Sequence, residues 1–474
     1  MSGSHGSGVS IRFFQLFLKL PVVLLAAIEG ALFFFAPYFA AALLVGPQDL
    51  ATATPQGDMV PTALLFSMFS VASNFAFGLY TTRQRAGTIG LMVRVAAGAL
   101  NGAALSALVF YVAPTIAVSR EVLAATAVIA VFFSAATRAL FERIVDQDTF
   151  KSRVLVYGAG QRAASLLQLR RRTDQRGFKL VAFMATEGDQ VGVPSDRLVP
   201  RPDDLLRWAR EHEVDEIVVA MDDRRRGFPV LELLDCRMAG IDILELPTFL
   251  ERETGKVRLD VLNPSWIIFG EGFRNSIVQR GLERGLDLGA SIVLLLLASP
   301  LMLLAMVAIK IEDGWRAPVL YRQARVGRYN ETFNIVKFRS MRIDAEKPGE
   351  AIWATPDDPR VTRVGAFMRK TRIDELPQLF AVLRGDMSFV GPRPERPEFV
   401  ARLEQQIPYY RERHTVKPGI TGWAQLCYPY GASDKDALEK LQYDLYYVKN
   451  RSLLFDLAIL IQTVEVVLWG KGAR

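Results

Sequence analysis

Four long apolar stretches dominate the first 140 residues of the chain. Each reaches or approaches the ~20 residues that a helix needs to cross the core of a bilayer. They lie near residues 17–45, 60–80, 90–113 and 120–138. Buried helices of a soluble domain would explain one such stretch better than four in series. The pattern therefore predicts a membrane protein with a four-helix transmembrane N-terminal domain over residues 1–145.

The charges between these stretches predict their orientation. The loop over residues 46–59 contains no Lys or Arg, whereas residues 81–85 read TTRQR and more basic residues follow the fourth stretch. By the positive-inside rule, the N-terminus, the TTRQR loop and everything after residue 140 are expected on the cytoplasmic side. Glu29 and Arg94 lie within apolar stretches, so we expect them to pair between helices or to extend toward the membrane surface.

The pattern then changes and predicts a Rossmann-like, CoA-binding-like α/β domain over residues 146–255. Residues 152–170 read as an apolar strand, a glycine turn and an amphipathic helix. The turn GAGQRA fits the dinucleotide-binding spacing G-x-G-x-x-A. The acid expected further on is poorly placed, because Glu187 lies 27 residues beyond Gly160. We therefore interpret the domain as a scaffold with no cofactor-binding residues, and as a candidate surface for homodimer formation.

A fifth apolar stretch, residues 286–309, follows a linker over residues 256–280. Its 24 residues would reach about 36 Å as a helix, which is enough to span. Pro300 cannot donate to the carbonyl four residues earlier, so Ser299-Pro300 should kink the helix. Basic residues flank both ends, and a fifth crossing would place the whole basic remainder outside the cell. We expect a re-entrant membrane helix that enters and leaves by one face.

Composition restricts the chemistry. Half of the residues are hydrophobic and the mean hydropathy is +0.18, which is high for a soluble enzyme. Of the formal charge of +7, most lies in residues 310–425, which hold 21 Lys and Arg against 15 Asp and Glu. Such an excess suits an anionic ligand or a lipid surface. Two cysteines, Cys236 and Cys427, are too few for a disulfide framework. Three histidines are too few for a metal site built on histidine.

The last third of the chain consists largely of polar segments rich in Gly and Pro, and such segments carry function more often than packing. Lys337, Arg339, Arg369 and Arg393 are spread through separate segments, unlike a charge run on one solvated face. Lys and Arg side chains that converge from separate segments suit a diphosphate, because guanidinium groups bind phosphate oxygens in pairs.

The adjacent acids Asp374 and Glu375 lie in TRIDELPQL, residues 371–379. Taken alone, this segment reads as a helix start, with Asp374 as N-cap and Pro377 in the first turn. Among so many cations, the pair instead suggests Mg²⁺ held by one carboxylate and by substrate phosphates. The other carboxylate would then be able to attack phosphorus.

Residues 281–474 resemble the bacterial sugar transferase family, the monotopic phosphoglycosyl transferases. The resemblance rests on Ser299-Pro300 and on YRQARVGR, VKFRSMR, MRKTRIDELPQL, RGDMSFVGPRP and KPGITGWAQ, in this order. The four apolar stretches and the Rossmann-like middle are similar to the long, polyprenyl-phosphate hexose-1-phosphate transferase branch. PERPEF and YPYGAS are similar to members that start exopolysaccharide repeat units. The implied catalytic region is an α/β domain that includes the re-entrant helix.

The resemblance implies a reaction at the cytoplasmic face of the bacterial inner membrane. A UDP-hexose, with galactose or glucose as the sugar, would transfer its sugar-1-phosphate to undecaprenyl phosphate and release UMP. Asp374 would be the nucleophile, and Glu375 would help to hold Mg²⁺. Phosphate or nucleotide contacts are expected from Lys337, Arg339, Arg369 and Arg393. Membrane lipid is an expected partner, and nucleic acid is not.

Two functions from other classes compete with this interpretation. A membrane-bound nucleotide-sugar dehydratase needs a Tyr-x-x-x-Lys pair, and none of the 13 tyrosines has Lys four positions on. A non-enzymatic polysaccharide-export scaffold would make every motif of the last third coincidental. The C-terminal apolar stretch, residues 453–470, contains Asp456, Gln462 and Glu465 without one clean face, so we expect an interfacial helix rather than a span.

Overall fold

The computed structural model describes residues 10–13, 16–48, 50–80, 88–144, 151–169, 177–186, 189–223, 225, 227–262, 277–342, 345, 358–428, 431 and 433–469. The chain forms two compact units, Met1–Thr254 and Gly255–Arg474.

The first unit begins with an antiparallel hairpin, β1 (Ser10–Phe13) and β2 (Leu16–Lys19). Four apolar helices follow: α1 (Leu20–Leu44), α2 (Val60–Ala76), α3 (Thr88–Val112) and α4 (Arg120–Ile144). Among the described residues, helices long and apolar enough to cross a membrane are Val22–Leu44, Leu91–Val112, Arg120–Phe141 and, in the second unit, Ile277–Asp313. Val60–Phe75 is a shorter apolar helix. The prediction of a membrane protein is confirmed, while the TTRQR loop lies outside the described residues.

A buried polar cluster joins three of these helices. Glu29 of α1 is fully buried; its carboxylate pairs with Arg138 of α4, with Nε–Oε1 at 2.8 Å and Nη2–Oε2 at 2.9 Å. Tyr80, Asn74 and Ser134 also donate hydrogen bonds to Glu29. A charge buried among apolar helices is tolerated when it is paired and hydrogen-bonded. Glu29 is thus an inter-helix partner, one of the two roles expected for it.

The Rossmann-like part of the first unit is a parallel five-stranded sheet in the order β5-β4-β3-β6-β7. Its strands are β3 (Ser152–Tyr157), β4 (Phe178–Met184), β5 (Leu198–Val199), β6 (Glu216–Val219) and β7 (Asp242–Glu245). Its helices are α5 (Gln161–Ala164), α6 (Leu205–Glu211), α7 (Val230–Met238) and α8 (Leu246–Thr254). The central strand β3 is almost continuously buried because helices cover both faces of a parallel sheet.

The glycine turn of this sheet is already engaged by the chain's own acids. Asp222 accepts hydrogen bonds from the backbone N–H groups of Gln161 and Arg162, at 3.0 and 2.9 Å. Asp189 accepts one from Ala159 at 2.9 Å. A Cβ at Gly160 would lie 2.0 Å from Asp222 Oδ2, so glycine is required by this close approach. These are N–H groups that a dinucleotide pyrophosphate would need. Glu187 lies outside the described residues.

The second unit contains a long apolar helix and two small sheets. Its helices are α9 (Ile277–Asp313), α10 (Arg363–Thr371), α11 (Leu379–Arg384), α12 (Pro397–Gln406), α13 (Trp423–Cys427), α14 (Asp434–Asn450) and α15 (Leu453–Trp469). Strands β8 (Leu320–Val326) and β9 (Thr332–Phe338) pair antiparallel, and β10 (Ser388–Val390) and β11 (Gly419–Thr421) pair parallel. Val257 and Val261, in the predicted linker, are buried in this unit.

Helix α9 extends well beyond the predicted stretch 286–309 at both ends and continues through Pro300. Pro300 cannot donate to the carbonyl of Leu296, and the Ser299 hydroxyl donates to that carbonyl instead, at 2.9 Å. Near this point Leu296 and Leu297 are 70% and 73% exposed, as expected of side chains that face lipid. The Ser-Pro pair thus keeps the backbone carbonyl satisfied without the missing N–H group.

Helix α15 departs from the expected interfacial helix. Phe455 and Ile459 are buried in the core of the second unit. Asp456, one of the residues expected to interrupt the apolar surface, accepts a 2.8 Å hydrogen bond from the Tyr447 hydroxyl. The helix therefore packs on the core through this face, because α14 supplies a polar partner that the local sequence pattern does not reveal.

Breaking the ion pair between Glu29 and Arg138 should destabilise the helical bundle. Glu29→Leu and Arg138→Met should each lower the free energy of unfolding by about 3–5 kcal/mol, since each leaves a buried charge unpaired. The free energy of unfolding should fall less in the double variant than the sum of its decreases in the two single variants. Unfolding in mixed micelles measures this.

Ser67→Ala is a matched control for this comparison of single and double variants. Ser67 makes a single neutral hydrogen bond to the carbonyl of Gly30 across the same helices. Loss of this hydrogen bond should lower the free energy of unfolding by about 1 kcal/mol. Additive effects of Glu29→Leu and Arg138→Met would contradict the proposed coupling.

Candidate active site

A cavity of about 380 Å³ opens in the second unit beside β8, β9, α12 and α14. Of the described residues, ten basic and three acidic side chains line it. This volume lies in the range of small-molecule sites. This imbalance of charge favours an anionic ligand.

The acid pair lies on a short 3-10 helix, Ile373–Gln378, and Asp374 of this pair lines the cavity. Helix α10 precedes it and begins at Thr362, whose hydroxyl accepts a hydrogen bond from Gly365 N at 3.0 Å. It ends at Arg372, which has a left-handed φ of 61°. This residue redirects the chain into the 3-10 helix. A left-handed conformation at a non-glycine residue is typical of functional sites.

Helix capping, the alternative role for Asp374, is not what the structure shows. Asp374 lies inside the 3-10 helix, whose N-cap position is Arg372, and Gln378 precedes α11. Its side chain is 7% exposed, and its Oδ1 atom is buried without a hydrogen-bond partner among the residues that the structure describes. Buried carboxylate oxygens are normally satisfied, so this unsatisfied oxygen indicates a functional role.

Glu375 is held by two cations from distant segments. Lys337 Nζ and Arg393 Nη2 both donate to Glu375 Oε1, at 2.9 and 3.0 Å. Burial opposes ionisation of Glu375, but Arg393 and Lys337 hold its pKa well below the ordinary range. Burial lowers the pKa of Lys337, an effect that Glu375 opposes. Glu375 is therefore the ionised anchor that joins β9, the 3-10 helix and the loop before α12.

The two acids have opposite electrostatic environments. Burial raises the pKa of Asp374, and the neighbouring charge of Glu375 raises it further, while Lys337 and Arg369 act in the other direction. The net effect at Asp374 is a raised pKa, the opposite of what nearby cations alone would produce. The cations Lys337 and Arg393 make their contacts with Glu375 instead.

The structure brings the four predicted basic residues to one cavity. Lys337, Arg339, Arg369 and Arg393 all line it together with Asp374. Arg339 is paired with Asp313 at 2.7 Å, and its Nε and Nη1 atoms are buried without hydrogen-bond partners among the described residues. Unsatisfied guanidinium donors at the wall of a cavity suit phosphate oxygens. Ser299 and Pro300 do not line the cavity.

Close packing of α10 explains the position of Arg369. A Cβ at Gly365 would lie 2.1 Å from the carbonyl oxygen of Ser340, so only glycine allows α10 to approach the segment after β9. That segment includes Arg339 and directly follows β9, the strand that carries Lys337. Arg369 therefore lines the same cavity from a different element.

The sequence analysis missed a buried ion pair that supports the site. Arg413 pairs with Asp444 at 2.8 Å, and both side chains are at most 5% exposed. Arg413 Nη2 also donates to the backbone carbonyl of Arg393 at 3.0 Å. It thus fixes the loop that presents Arg393 to Glu375. No local pattern marks these residues, because their role depends on contacts between segments far apart in the chain.

The carboxylates present suit a metal that completes its coordination with substrate. No group of three or more His, Cys, Asp or Glu side chains capable of holding a metal occurs in the described part of the chain. Mg²⁺ often uses only one or two carboxylates together with substrate phosphates. Asp374 offers an unsatisfied Oδ1, and Lys337 and Arg393 both contact Oε1 of Glu375 rather than Oε2.

Comparisons with known proteins match both halves of the chain. The bacterial sugar transferase family model matches residues 278–470, which include the acid pair and α9. A CoA-binding domain model matches residues 75–231.

Three relatives have related names. UDP-N-acetylgalactosamine-undecaprenyl-phosphate N-acetylgalactosaminephosphotransferase of Aeromonas hydrophila is 43% identical over 59% of this chain and 63% of that protein. Undecaprenyl-phosphate glucose phosphotransferase of Komagataeibacter xylinus is 34% identical over 68% of this chain and 60% of that protein. The chain thus spans about three fifths of the length of these two relatives.

The third relative is aligned over a larger share of its length. UDP-glucose:undecaprenyl-phosphate glucose-1-phosphate transferase of Escherichia coli (strain K12) is 42% identical over 67% of this chain and 68% of that protein. The three names differ in the sugar, so the likeness does not select one. On this likeness and the family match across the acid pair, the chain belongs to the bacterial sugar transferase family, in its long hexose-phosphate transferase branch.

Proposed function

We propose that the protein transfers hexose-1-phosphate from a UDP-hexose to undecaprenyl phosphate and releases UMP. The observation that carries this proposal is the buried, unsatisfied carboxylate oxygen of Asp374 in a cavity lined by cations. Membership of the family supports the acceptor, because relatives are named for undecaprenyl phosphate. Galactose and glucose are our proposed sugars, and the reaction would be the first membrane step of exopolysaccharide or capsule assembly.

The basic residues would bind the diphosphate of the donor. Arg339 and Arg369 line the cavity beside Asp374, and Arg339 has unsatisfied donors. Lys337 and Arg393 line it too, while they hold Glu375. Together they would neutralise the phosphate charge that otherwise repels an attacking carboxylate, and they would stabilise the charge of the transition state.

Transfer would proceed in two displacements at one phosphorus. A carboxylate oxygen of Asp374 bonds to the phosphorus that carries the hexose, the bond from this phosphorus to the bridging oxygen breaks, and UMP leaves with the electron pair. An oxygen of undecaprenyl phosphate then attacks the same phosphorus. The bond to Asp374 breaks, which restores the carboxylate and releases the lipid diphosphate sugar.

Glu375 is the residue that would hold Mg²⁺ together with the donor phosphates, and Asp374 would remain the nucleophile. When bound, the ion would neutralise phosphate charge and polarise the reacting phosphorus. Glu375, already ionised, would keep its place through Lys337 and Arg393.

Both ends of α9 contact the same folded unit, which supports a re-entrant arrangement. At one end Arg284 donates to the carbonyls of Val382 and Leu383, at 2.7 and 2.6 Å. At the other, Glu312 accepts hydrogen bonds from the backbone of α10. A helix that crossed the bilayer would separate its two ends by the membrane. We propose that α9 enters and leaves by the cytoplasmic face of the inner membrane, with the catalytic unit in the cytoplasm.

The covalent intermediate is the direct test of the reaction. Enzyme incubated with UDP-hexose labelled in the sugar phosphate, without acceptor lipid, should retain label on the protein. Asp374→Asn keeps the size of the side chain but removes the nucleophile, so it should retain no label and lose at least about 10³-fold in turnover. UMP release and protein-bound label are measured together.

Arg322→Gln is a suitable control for this test, because Arg322 is exposed on β8 and does not line the cavity. It should label like the natural protein. Label on the Asn variant, or initial rates that fit only a ternary-complex mechanism, would show that Asp374 is not the nucleophile.

The raised pKa of Asp374 predicts an acid limb in the pH profile. Only the ionised carboxylate attacks, so kcat/KM should fall as the pH drops, with an apparent pKa above the ordinary 3.8 of aspartate. Glu375→Gln removes a charge that raises the pKa of Asp374. The acid limb of kcat/KM should therefore move to lower pH in this variant. The rate itself should fall, because Glu375 is the anchor that holds Lys337 and Arg393. An unmoved limb in this variant would mean that Asp374 is not the group that titrates.

Cysteine labelling tests the topology of α9. Gly281→Cys and Trp315→Cys lie at opposite ends of the helix at exposed positions, and a Cβ at Gly281 meets nothing within 4 Å. Both should react with an impermeant maleimide in inside-out vesicles. Background should be low, because Cys236 and Cys427 are buried.

Gln56→Cys, in the exposed loop between α1 and α2, should react only in right-side-out vesicles. If Trp315→Cys reacted only in right-side-out vesicles, as Gln56→Cys should, α9 would span the membrane. In that case the re-entrant arrangement would be wrong.

A further inference from the structure

A second cavity, of about 160 Å³, lies beside the first turns of α9 and shares no lining residue with the active-site cavity. Its basic side chains are Arg280, Arg284, Arg328, Lys417 and Arg451. The segments RGDMSFVG and KPGITG meet here, through Ser388 and Lys417. No step of the proposed reaction uses any of these residues.

The two acids of this cavity are already engaged elsewhere. Glu283 forms a close ion pair with Arg451 and accepts a hydrogen bond from Gln279. Asp287 accepts hydrogen bonds from the Ser388 hydroxyl and from Phe389 N, at 2.9 and 3.0 Å. They therefore leave most of the basic groups of the cavity without a carboxylate of their own.

Lys417 is the clearest case. Within the described part of the chain it makes no hydrogen bond or ion pair, and its ammonium group lies next to the Arg284 guanidinium. Both lie within 4 Å of one point beside Gly385, where a Cβ would be 3.4 Å from Lys417 Nζ and 3.7 Å from Arg284 Cζ. Burial and the charge of Arg284 lower the pKa of Lys417, while the charge of Asp287 in the same cavity opposes them in part. Adjacent like charges in a partly buried cavity are stabilised by an anion.

The position of the cavity along α9 indicates the source of that anion. Arg284 lies about one turn and Arg280 about two turns before Leu288, the first exposed apolar side chain of the stretch 286–309. Lipid phosphates lie at this boundary between apolar core and water. This step depends on the proposed membrane seating of α9 and not on the reaction.

We propose that the cavity binds the phosphate headgroup of an anionic membrane phospholipid. Lys417 and Arg284 would contact the phosphate oxygens, and Arg280 would add charge at the exposed rim. The acyl chains would lie along the exposed apolar face of α9. A bound lipid would thereby hold the entry end of α9 at headgroup depth.

Lipid retention by the full-length protein tests this proposal. The protein is placed in phosphatidylcholine nanodiscs with a small fraction of phosphatidylglycerol, and native mass spectrometry counts the phosphatidylglycerol that remains bound after ejection. Lys417→Gln and Arg280→Gln should each weaken retention roughly fivefold, the ratio that corresponds to about 1 kcal/mol per basic residue near an anionic leaflet. Arg411→Gln, at an exposed position outside both cavities, should retain the lipid like the natural protein.

Two further arms identify the source of the phosphate. Inorganic phosphate should not compete with phosphatidylglycerol, and neither should undecaprenyl phosphate. Equal retention in all variants, or competition by either probe, would overturn the proposal. Because the count does not depend on turnover, absence of UMP release would defeat the proposed reaction and leave this inference intact. Melting temperatures of both variants close to that of the natural protein would show that any loss is not unfolding.

Discussion

Glu375 holds the active site together, because its Oε1 atom accepts hydrogen bonds from both Lys337 and Arg393. These two cations come from different segments of the chain. Arg413 extends this network by holding the carbonyl of Arg393 and pairing with Asp444. With its cations committed to Glu375, the adjacent Asp374 keeps a buried oxygen without a partner. Two neighbouring carboxylates are thus driven to opposite pKa shifts by their surroundings, a common way of assigning different roles to two acids.

The membrane helix and the acid pair belong to one packed structure. Met302, Met306 and Ile309 of α9 pack in a cluster with Ile373, the residue before Asp374. Leu376 contacts this cluster and also the core that includes Leu295. The 3-10 helix of the acid pair therefore rests directly on α9. A change in the seating of α9 would shift the backbone that positions the carboxylates, because close-packed interiors transmit displacement.

Carboxylates of the first unit also make hydrogen bonds within the chain. Glu29 among the apolar helices is fully paired by Arg138 and neighbouring donors. In the Rossmann-like sheet, Asp189 and Asp222 take the N–H groups that a phosphate would need. Glu29 is fully buried, Asp189 is half-buried and Asp222 is exposed, and each accepts hydrogen bonds from other groups of the chain. The contrast with Asp374 strengthens the assignment of function to the second unit.

Much of the architecture could be predicted from local sequence, because apolar length, strand-turn-helix order and the motifs around Asp374 and Glu375 are written in consecutive residues. The four basic residues named from the sequence line one cavity in the structure. Three features required the tertiary structure: the pKa of Asp374, the packing of α15 through Asp456 and Tyr447, and the support from Arg413 and Asp444. Burial and partner choice depend on segments far apart in the chain. The sequence alone therefore determined which groups were present, and only folding decided which cation neutralised which acid.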